Sequence, residues 1–323
     1  MRDGRPVRLL LSSLCRERLA ARIEAAAGGV PLQFVGTDDS DADWAFVSRD
    51  VTGLSTKDEV LPDTQRFYDA MERAPSLRWV HVHSAGADRS IYQRLQARGV
   101  ALTTSPGTNS TIVAQSAMAA ILSLARHFPL LREAQARRVW QPLLQTGLPQ
   151  DLEGQTATLV GWGPVGQALA RYLEAFGVRL QVVRHRAVTG DCAWPSCVYE
   201  DIDGLLPNAD WLILACPLSA QTRGLVDARR LRLLRPGARL INVARGAVVD
   251  EAALIEALRD GYLGGAYLDV FTLEPLSTES PLWDLPNTLI TPHSAGFAAG
   301  NEARVEEVFL QRLAERLPRD RRV

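Results

Sequence analysis

Residues 158–170 have the sequence TLVGWGPVGQALA, and this stretch decides the fold. An apolar run ends at three glycines, Gly161, Gly163 and Gly166, spaced as G-x-G-x-x-G, and a helical pattern follows them. The first glycine permits a tight turn, the second lets backbone N–H groups approach a pyrophosphate, and the third lets the helix pack closely on the sheet. The stretch therefore predicts a βα turn that binds a dinucleotide at the positive end of a helix. The alternative is a glycine-rich turn without a ligand.

On both sides of this turn, short apolar runs alternate with amphipathic helical patterns, which is typical of βαβ units and parallel sheets. Predicted strands lie at residues 7–11, 32–35, 44–47, 79–83, 101–104, 156–160, 179–183, 211–215, 239–243, 265–268 and 288–290. Predicted helices lie at residues 17–27, 65–73, 165–175, 228–234, 251–259 and 298–317, and a long helix at 112–138 is kinked at Pro129. Residues 50–63 have the composition of a loop insertion.

These elements predict an α/β protein with two doubly wound parallel-sheet domains. The expected Rossmann dinucleotide-binding domain covers residues 109–292. It is inserted into a smaller, flavodoxin-like domain formed by residues 1–108 and 293–323.

The composition favours a small ligand over a macromolecular partner. The 323 residues are 46% hydrophobic and 23% charged, which is ordinary for a globular chain of two domains. With 36 basic and 37 acidic residues, neither nucleic acid nor an anionic membrane is expected as the main partner. The four cysteines, Cys15, Cys192, Cys197 and Cys216, lack the spacing of a metal site and are expected to be reduced thiols. The N-terminal apolar run is too short for a signal peptide, so we expect a cytoplasmic protein.

The end of the second strand of a dinucleotide domain decides between NAD and NADP. An acidic residue there, about 20 residues after the glycines, bonds the ribose 2′-hydroxyl of NAD. This chain instead has Arg184, His185 and Arg186, and no acid lies between residues 179 and 190. Guanidinium groups can bind a 2′-phosphate through paired hydrogen bonds. We therefore expect NADP(H) to be preferred, with NAD(H) as the alternative.

Three polar residues stand at the ends of later apolar strands, where open α/β sheets bind their ligands. They are Arg245 in LINVARGAVVD, Glu274 in GAYLDVFTLEPL and His293 in ITPHSAG. Hydride transfer to a keto carbon needs a cation for the substrate carboxylate, a proton for the developing alkoxide and a partner that keeps the proton donor charged. Arginine, histidine and glutamate supply these three functions.

Several longer stretches of the sequence resemble one protein family. CPLSAQTRGLVDARRLRLLRPGARLINVARGAVVDEAALIEAL (216–258), GGAYLDVFTLEPL (264–276) and PLWDLPNTLITPHSAG (281–296) closely resemble the D-isomer-specific 2-hydroxyacid dehydrogenases. APSLRWVHVHSAGAD (74–88) is similar to the substrate-loop strand of that family, and TSPGTNSTIVAQ (104–115) to its crossover into the cofactor domain. The resemblance covers about 250 residues.

The resemblance implies a role for each catalytic residue. His293 would be the acid/base that protonates the substrate oxygen, and Glu274 would bond the other imidazole nitrogen and favour the imidazolium form. Arg245 would bind the carboxylate of a 2-oxo acid and polarise its carbonyl. The backbone N–H groups of Ser84, Ala85 and Gly86 would hold the other carboxylate oxygen, in a cleft between a substrate-binding and a cofactor domain.

The resemblance also implies the remaining cofactor contacts. Asp269 would reach the nicotinamide carboxamide. The other residues expected to line the cofactor are Trp162, Pro164, Val165, Cys216, Pro217, Val243, Ala244 and Ala295. No metal is expected.

Some residues keep a structural interpretation beside a functional one. His81 and His83 flank the substrate loop on one face of a strand and are expected to be structural, although one could shape the pocket. His127 is expected in packing or a dimer contact, and Cys216 is expected to be a core residue and not a nucleophile. Trp140 follows the long helix, and in some related enzymes a tryptophan there reaches the partner subunit's pocket.

The chain departs from the family pattern at Gln115, where Glu is common, at Ala215, where many members have His, and in the longer loop after Trp44. These departures leave the substrate open, but not the reaction type. The resemblance implies reduction of 2-oxo acids, with glyoxylate and hydroxypyruvate as first candidates. The long helix from Ile112 is expected to expose more apolar surface than one subunit can cover, so we expect a homodimer. The rival hypothesis is a nucleotide-sensing, corepressor-like binding protein of the same fold. Glu274 disfavours a formate-type enzyme, and the absence of lysine near the substrate loop disfavours a phosphite-type enzyme.

Overall fold

The computed structural model describes residues 5–186 and 194–317. The strands are β1 (Val7–Leu10), β2 (Leu32–Val35), β3 (Trp44–Val47), β4 (Trp79–Val82), β5 (Ala101–Thr104), β6 (Thr156–Val160), β7 (Arg179–Arg184), β8 (Ser196–Val198), β9 (Trp211–Leu214), β10 (Arg239–Asn242), β11 (Gly265–Leu268) and β12 (Thr288–Ile290). The α-helices are α1 (Ser13–Ala26), α2 (Arg49–Thr52), α3 (Pro62–Arg73), α4 (Ser90–Ala97), α5 (Ser110–Ala125), α6 (Phe128–Ala136), α7 (Pro164–Ala175), α8 (Ala228–Leu233), α9 (Glu251–Arg259) and α10 (Asn301–Arg316).

The chain divides into two units, Met1–Thr108 with Ala298–Val323, and Asn109–Phe297. The first unit contains a five-stranded sheet in the order β2-β1-β3-β4-β5, and every paired strand is parallel. β3 and β4 are buried along their whole length because helices cover both faces, and their residues are apolar except for His81 of β4. On one face Phe309 of α10 stacks on Phe46 of β3, with ring centroids 4.1 Å apart. This strand order is the flavodoxin-like one.

The second unit contains a seven-stranded parallel sheet in the order β12-β11-β10-β9-β6-β7-β8. α5 and α7 pack on one face of the sheet, and α8 and α9 pack on the other. The strand order reverses between β6 and β9, and a crevice that binds ligands is expected at such a point. The two sheets confirm the predicted fold class, and the second has the Rossmann order.

The predicted long helix at residues 112–138 is wrong in one respect. It is two helices, α5 and α6, and the break lies at His127, which has a left-handed φ of 57°. Pro129 does not kink the helix, because it lies in the first turn of α6, where a missing N–H costs no hydrogen bond. α5 buries nine of its residues within its own unit. The exposed apolar side chains that were expected on the long helix lie further along, between Phe128 and Leu148.

Other differences concern short elements and element ends. The sequence pattern did not predict α2, α4 or β8, and α2 and β8 are only four and three residues long. The second unit continues to Phe297, beyond the expected boundary after Pro292, because backbone groups of residues 293–295 hydrogen-bond to Asp269. Within the described ranges, no helix is long and apolar enough to cross a membrane.

Candidate active site

Arg245 lies in a short loop after β10. The buried side-chain amide of Asn242 stabilises the conformation of this loop. The side-chain oxygen of Asn242 accepts a hydrogen bond from the backbone N–H of Ala244 at 3.0 Å, and its nitrogen donates to the carbonyl of Arg245 at 3.2 Å. A Cβ on Gly246 would lie 1.9 Å from the carbonyl carbon of Phe271. Only glycine therefore lets the loop of Arg245 approach the loop that carries Glu274. Arg245 is partly buried.

Glu274 and His293 form a hydrogen-bonded pair. Glu274 Oε2 lies 2.9 Å from His293 Nδ1, and Glu274 Oε1 accepts the backbone N–H of Phe271 at 3.1 Å. The Glu274 side chain is 7% exposed, whereas that of His293 is 47% exposed. Because a carboxylate can only accept, Nδ1 carries the hydrogen of this bond, which leaves Nε2 for a substrate.

The backbone of His293 has an unusual conformation that its neighbours stabilise. Its φ of 51° lies in the left-handed region, which is uncommon for residues other than glycine and often occurs at functional sites. The backbone N–H of His293 donates to the carbonyl of Asp269 at 2.8 Å. This backbone conformation sets the direction of the His293 side chain after Pro292.

Asp269 holds the rest of this loop through one oxygen. Its Oδ1 accepts from Thr291 Oγ1 at 2.5 Å and from the backbone N–H groups of Ser294 and Ala295 at 2.8 and 2.9 Å. Burial raises the pKa of Asp269, and these hydrogen bonds act against that shift. Thr291 in turn accepts a hydrogen bond from Tyr267 at 2.8 Å. The structure thus gives Asp269 a positioning role for the His293 loop, which the sequence did not predict, and the nicotinamide contact stays a prediction.

The glycine turn fits a dinucleotide. A Cβ on Gly161 would lie 2.7 Å from the backbone of Ala215 and Cys216, and one on Gly166 would lie 2.1 Å from the carbonyl oxygen of Gly161. A Cβ on Gly163 would meet nothing within 4 Å. Gly163 is the N-cap of α7, whose first turn has no acidic residue and no side-chain cap. Open space thus faces uncapped N–H groups, as pyrophosphate binding requires.

Arg184, the last residue of β7, packs against the second residue of the glycine motif. Its guanidinium carbon lies 4.9 Å from the ring centroid of Trp162, and the rings of Trp162 and Trp194 are 5.1 Å apart. Trp194 is fixed by a hydrogen bond from Nε1 to Glu174 Oε1 at 2.9 Å. Arg184 Nε is buried and has no hydrogen-bond partner among the described residues. A buried donor of this kind is expected to find a partner when a ligand binds.

The other predicted cofactor residues surround the same strand ends. His185 and Arg186 are exposed directly after β7. Pro164 and Val165 open α7, Cys216 and Pro217 follow β9, Val243 and Ala244 follow β10, and Ala295 lies in the His293 loop. Burial raises the pKa of Cys216 to about 12, which disfavours a nucleophilic thiolate. Cys192 lies outside the described residues.

In the first unit, the loop with Ser84, Ala85 and Gly86 follows β4, and Ser84 Oγ donates to the carbonyl of Gly86 at 2.6 Å. His81 is fully buried and hydrogen-bonds to Thr103 and Ser105 at 2.8 and 2.9 Å, as expected of a structural histidine. His83 is partly buried and lies 2.9 Å from Thr52 Oγ1.

Sequence analysis missed Asn242, Thr291, Tyr267 and Trp194. Asn242 could have been found, because it lies three residues before Arg245 at a strand end, where Asx turns form. Trp194 is far from any motif, and no signal in the sequence indicated its contact with Trp162.

Comparisons with known proteins show the family of the chain. Residues 118–295 match the family model described as the NAD binding domain of D-isomer specific 2-hydroxyacid dehydrogenases. The chain is 35% identical to a glyoxylate reductase of Thermofilum pendens over 250 residues, which are 76% of this chain and 73% of that protein.

Two solved structures are also similar. One is an NADPH-dependent glyoxylate/hydroxypyruvate reductase of Sinorhizobium meliloti in complex with NADP and malonate, with 28% identity, a TM-score of 0.71, and coverage of 95% of this chain and 92% of that chain. The other is a D-isomer specific 2-hydroxyacid dehydrogenase of Xanthobacter autotrophicus in complex with NADPH, with 28% identity, a TM-score of 0.71, and coverage of 97% and 96%. The chain belongs to the D-isomer specific 2-hydroxyacid dehydrogenase family of NAD(P)-dependent oxidoreductases.

Proposed function

We propose that the protein reduces 2-oxo acids to D-2-hydroxy acids with NADPH, and that Arg245, Glu274 and His293 carry the reaction. The observation that carries this proposal is the 2.9 Å hydrogen bond between buried Glu274 and half-exposed His293. It holds an imidazole whose second nitrogen can donate a proton, close in the sheet to a loop that presents a guanidinium group.

Each side chain then has one task. Arg245 binds the substrate carboxylate and polarises the adjacent carbonyl. His293 donates its Nε2 proton to the carbonyl oxygen as that oxygen becomes an alkoxide. Glu274 accepts the Nδ1 hydrogen of His293 and keeps the ring oriented. A nicotinamide held at the glycine turn would supply the hydride for the carbonyl carbon. Afterwards the exposed ring of His293 takes up a proton from solvent.

The NADPH preference is supported by the residues after β7. Arg184 is held against Trp162, and its buried Nε lacks a partner among the described residues. A 2′-phosphate supplies acceptors for that nitrogen and for the exposed guanidinium of Arg186. The Sinorhizobium and Xanthobacter relatives are described with NADP and NADPH, which favours the same cofactor here.

Glyoxylate and hydroxypyruvate are the first substrates to test. The Thermofilum relative is a glyoxylate reductase, and the Sinorhizobium relative reduces glyoxylate and hydroxypyruvate. We propose that the backbone N–H groups of Ser84, Ala85 and Gly86 bind an oxygen of the substrate carboxylate. The reductase names of the relatives favour an enzyme over a corepressor-like binding protein. We also keep a homodimer and a cytoplasmic location as proposals.

The test is a steady-state assay of several 2-oxo acids with NADPH and with NADH. We expect turnover of at least one 2-oxo acid and a kcat/KM that is roughly tenfold or more higher with NADPH, the size of one lost charge-assisted bond. A preference below about twofold would overturn the role of Arg184. Tight NADPH binding without turnover of any 2-oxo acid would favour the binding protein.

A further inference from the structure

Two tryptophans of the second unit contact each other beside the glycine turn. Trp162 is the second residue of the glycine motif, and Trp194 lies two residues before β8. Their ring centroids are 5.1 Å apart, with an interplanar angle of 57°. We call these two residues the tryptophan pair. Trp194 has no task in the reaction described above, although its ring reaches the turn that would hold the cofactor.

The tryptophan pair limits where the side chain of Arg184 can lie. The guanidinium carbon of Arg184 is 4.9 Å from the ring centroid of Trp162, a distance at which the face of an indole attracts a cation. Arg184 Nε is buried, and no hydrogen bond holds it within the described part of the chain. The indole face of Trp162 therefore directs a side chain that would otherwise have many rotamers.

Trp194 is itself attached to both α7 and β7. Its Nε1 donates to Glu174 Oε1 at 2.9 Å, and Glu174 lies in the last turn of α7. The next residue, Pro195, accepts the backbone N–H of Val182 of β7 at 2.9 Å. Because α7 begins at the glycine turn and β7 ends at Arg184, Trp194 links the helix of the proposed phosphate site to the strand that carries the arginine.

The position of the Trp194 ring depends on these contacts because the ring is not enclosed. Trp194 and Trp162 are both partly buried, and Trp194 lines a cavity of about 960 Å³ together with Glu174 and Gln181. A ring that borders open space can turn into it once its hydrogen bond is removed, since little packing has to be displaced. Glu174 is exposed, so its side chain can be changed without disturbing the core.

We propose that Trp194, held by Glu174, is a positioning residue that sets the cofactor preference. It keeps Trp162 where that ring directs Arg184 towards the 2′-phosphate of NADPH. The inference rests on the proposed function, which assigns the 2′-phosphate to Arg184. Without the support of Trp194, the side chain of Arg184 would become ordered only when NADPH binds, and binding of the 2′-phosphate would carry that entropy cost. NADH has no 2′-phosphate, so its binding should not change.

The first experiment measures cofactor preference in the full-length protein with its best 2-oxo acid substrate. In Glu174→Ala and in Trp194→Leu, the ratio of kcat/KM for NADPH to kcat/KM for NADH should fall roughly 3- to 10-fold, through a higher KM for NADPH at unchanged kcat. Glu174→Gln should keep this ratio within about twofold of wild type, because its side-chain oxygen still accepts from Trp194. Glu256→Ala is the matched control, since Glu256 is exposed on α9 of the same unit.

An unchanged ratio in either Glu174→Ala or a folded Trp194→Leu would overturn the inference. Equal losses with the two cofactors would refute it as well, because they would show a structural role only. An equal fall in Glu174→Gln would assign the effect to the charge of Glu174 and not to its hydrogen bond, which also contradicts the inference. A wild type that prefers NADPH beside variants with the same preference would refute the role of Trp194 and leave the proposed function standing.

The second experiment shows whether Trp194 acts through Arg184. Arg184→Gln should already have lost most of the NADPH preference. Adding Trp194→Leu to this variant should then change the ratio by less than about twofold, because the two substitutions remove the same interaction. A further fall as large as the one that Trp194→Leu causes in wild type would show that the two residues act independently, and the inference would fail.

Direct binding decides the matter if no 2-oxo acid is turned over. Adenosine 2′,5′-bisphosphate and AMP differ only in the 2′-phosphate, and calorimetry measures the Kd of each without any reaction. Wild type should bind the bisphosphate more tightly, and Glu174→Ala should reduce this difference roughly 3- to 10-fold while its Kd for AMP stays the same. The same difference in both proteins would show that Trp194 does not position Arg184. Equal binding of the two nucleotides by wild type would contradict the role of Arg184 itself.

Discussion

His293 depends on a side-chain contact with Glu274 for its orientation. Its Nδ1 meets Glu274, and the other oxygen of Glu274 is held by the backbone of Phe271. A carboxylate in this position both aims the ring and accepts its Nδ1 hydrogen. Replacing the carboxylate with an amide of the same shape separates these effects from packing.

Glu274→Gln is therefore predicted to lower kcat for 2-oxo acid reduction by roughly 10- to 100-fold, while the Kd for NADPH stays near the wild-type value. Glu251→Gln is a matched control, because Glu251 also accepts a backbone N–H of the same loop, from Thr272 at 3.0 Å, without a histidine partner. The measurement is steady-state kinetics with thermal denaturation of all three proteins. Equal losses in the two variants would contradict the proposed role of Glu274.

The pKa of His81 predicts how the free energy of unfolding depends on pH. Burial, and secondarily Arg312, lower its pKa to about 3. In the unfolded chain His81 binds a proton near pH 6.5, whereas in the folded protein it stays neutral down to about pH 3. The free energy of unfolding therefore decreases as pH falls from about 6.5 towards 3. From pH 7 to pH 5 this one group removes about 2 kcal/mol of unfolding free energy.

His81→Gln should be less stable than wild type at pH 7, because its contacts with Thr103 and Ser105 are disturbed. It should nevertheless lose about 2 kcal/mol less than wild type between pH 7 and pH 5. Denaturant unfolding at the two pH values measures both quantities. The same pH-dependent loss in both proteins would show that His81 does not carry this effect.

At the residue scale, the sequence can predict position where strand ends determine it. Arg245, Glu274 and His293 all follow strands of one parallel sheet, and the carboxyl ends of parallel strands meet at one edge. The stacking of Arg184 on Trp162 could not be predicted in this way, because it depends on Trp194, from a segment with no recognisable pattern.

At the level of elements, the glycine turn joins β6 to α7, and its three glycines serve different purposes. Gly161 and Gly166 are required for packing, since a Cβ at either would lie within 2.7 Å of backbone atoms. Gly163 has open space around its Cβ position. Of the three, only Gly163 lacks a packing reason to be glycine, which fits its proposed role beside a pyrophosphate, and two substitutions can separate packing from binding.

Gly166→Ala should destabilise the protein by about 1–3 kcal/mol, because α7 must move away from Gly161. Gly163→Ala should fold with wild-type stability but bind NADPH roughly tenfold or more weakly, since its methyl group occupies the approach to the pyrophosphate. Thermal unfolding and quenching of tryptophan fluorescence by NADPH measure the two effects. Wild-type NADPH affinity in Gly163→Ala would contradict the proposed phosphate site.

The helix break at His127 shows where element prediction from sequence is limited. The apolar pattern from residue 112 onward gives no sign of a left-handed residue, and proline appeared to be the obvious breaker. Pro129 is instead compatible with the start of a helix, so the chain turns two residues earlier. The conformational preference of Pro129 therefore predicts the position of the helix break to within two residues, but not the residue at which it occurs.

At the scale of the whole molecule, residues 128–148 carry exposed apolar side chains. Trp140, Leu144 and Leu148 are 92%, 81% and 69% exposed, and Phe128 and Val139 are also exposed. Exposed apolar side chains this close together in the sequence favour an interface, and we propose a second copy of the chain as its occupant.

The wild type should therefore sediment as a dimer at micromolar concentration. Replacing both Trp140 and Leu144 with serine should shift it towards the monomer. Phe176→Ser is the control, because Phe176 is a half-exposed aromatic residue outside this segment. A monomeric wild type, or a double variant that stays dimeric, would contradict the proposed interface.

The account as a whole requires His293 to protonate the substrate, and glyoxylate reduction by His293→Asn tests this most directly. Asparagine can keep a hydrogen bond to Glu274 but cannot serve as the acid. We predict that kcat with NADPH falls on the order of a hundredfold or more while NADPH binding, measured by fluorescence, is retained. A variant that binds NADPH and reduces glyoxylate at the wild-type rate would contradict the account.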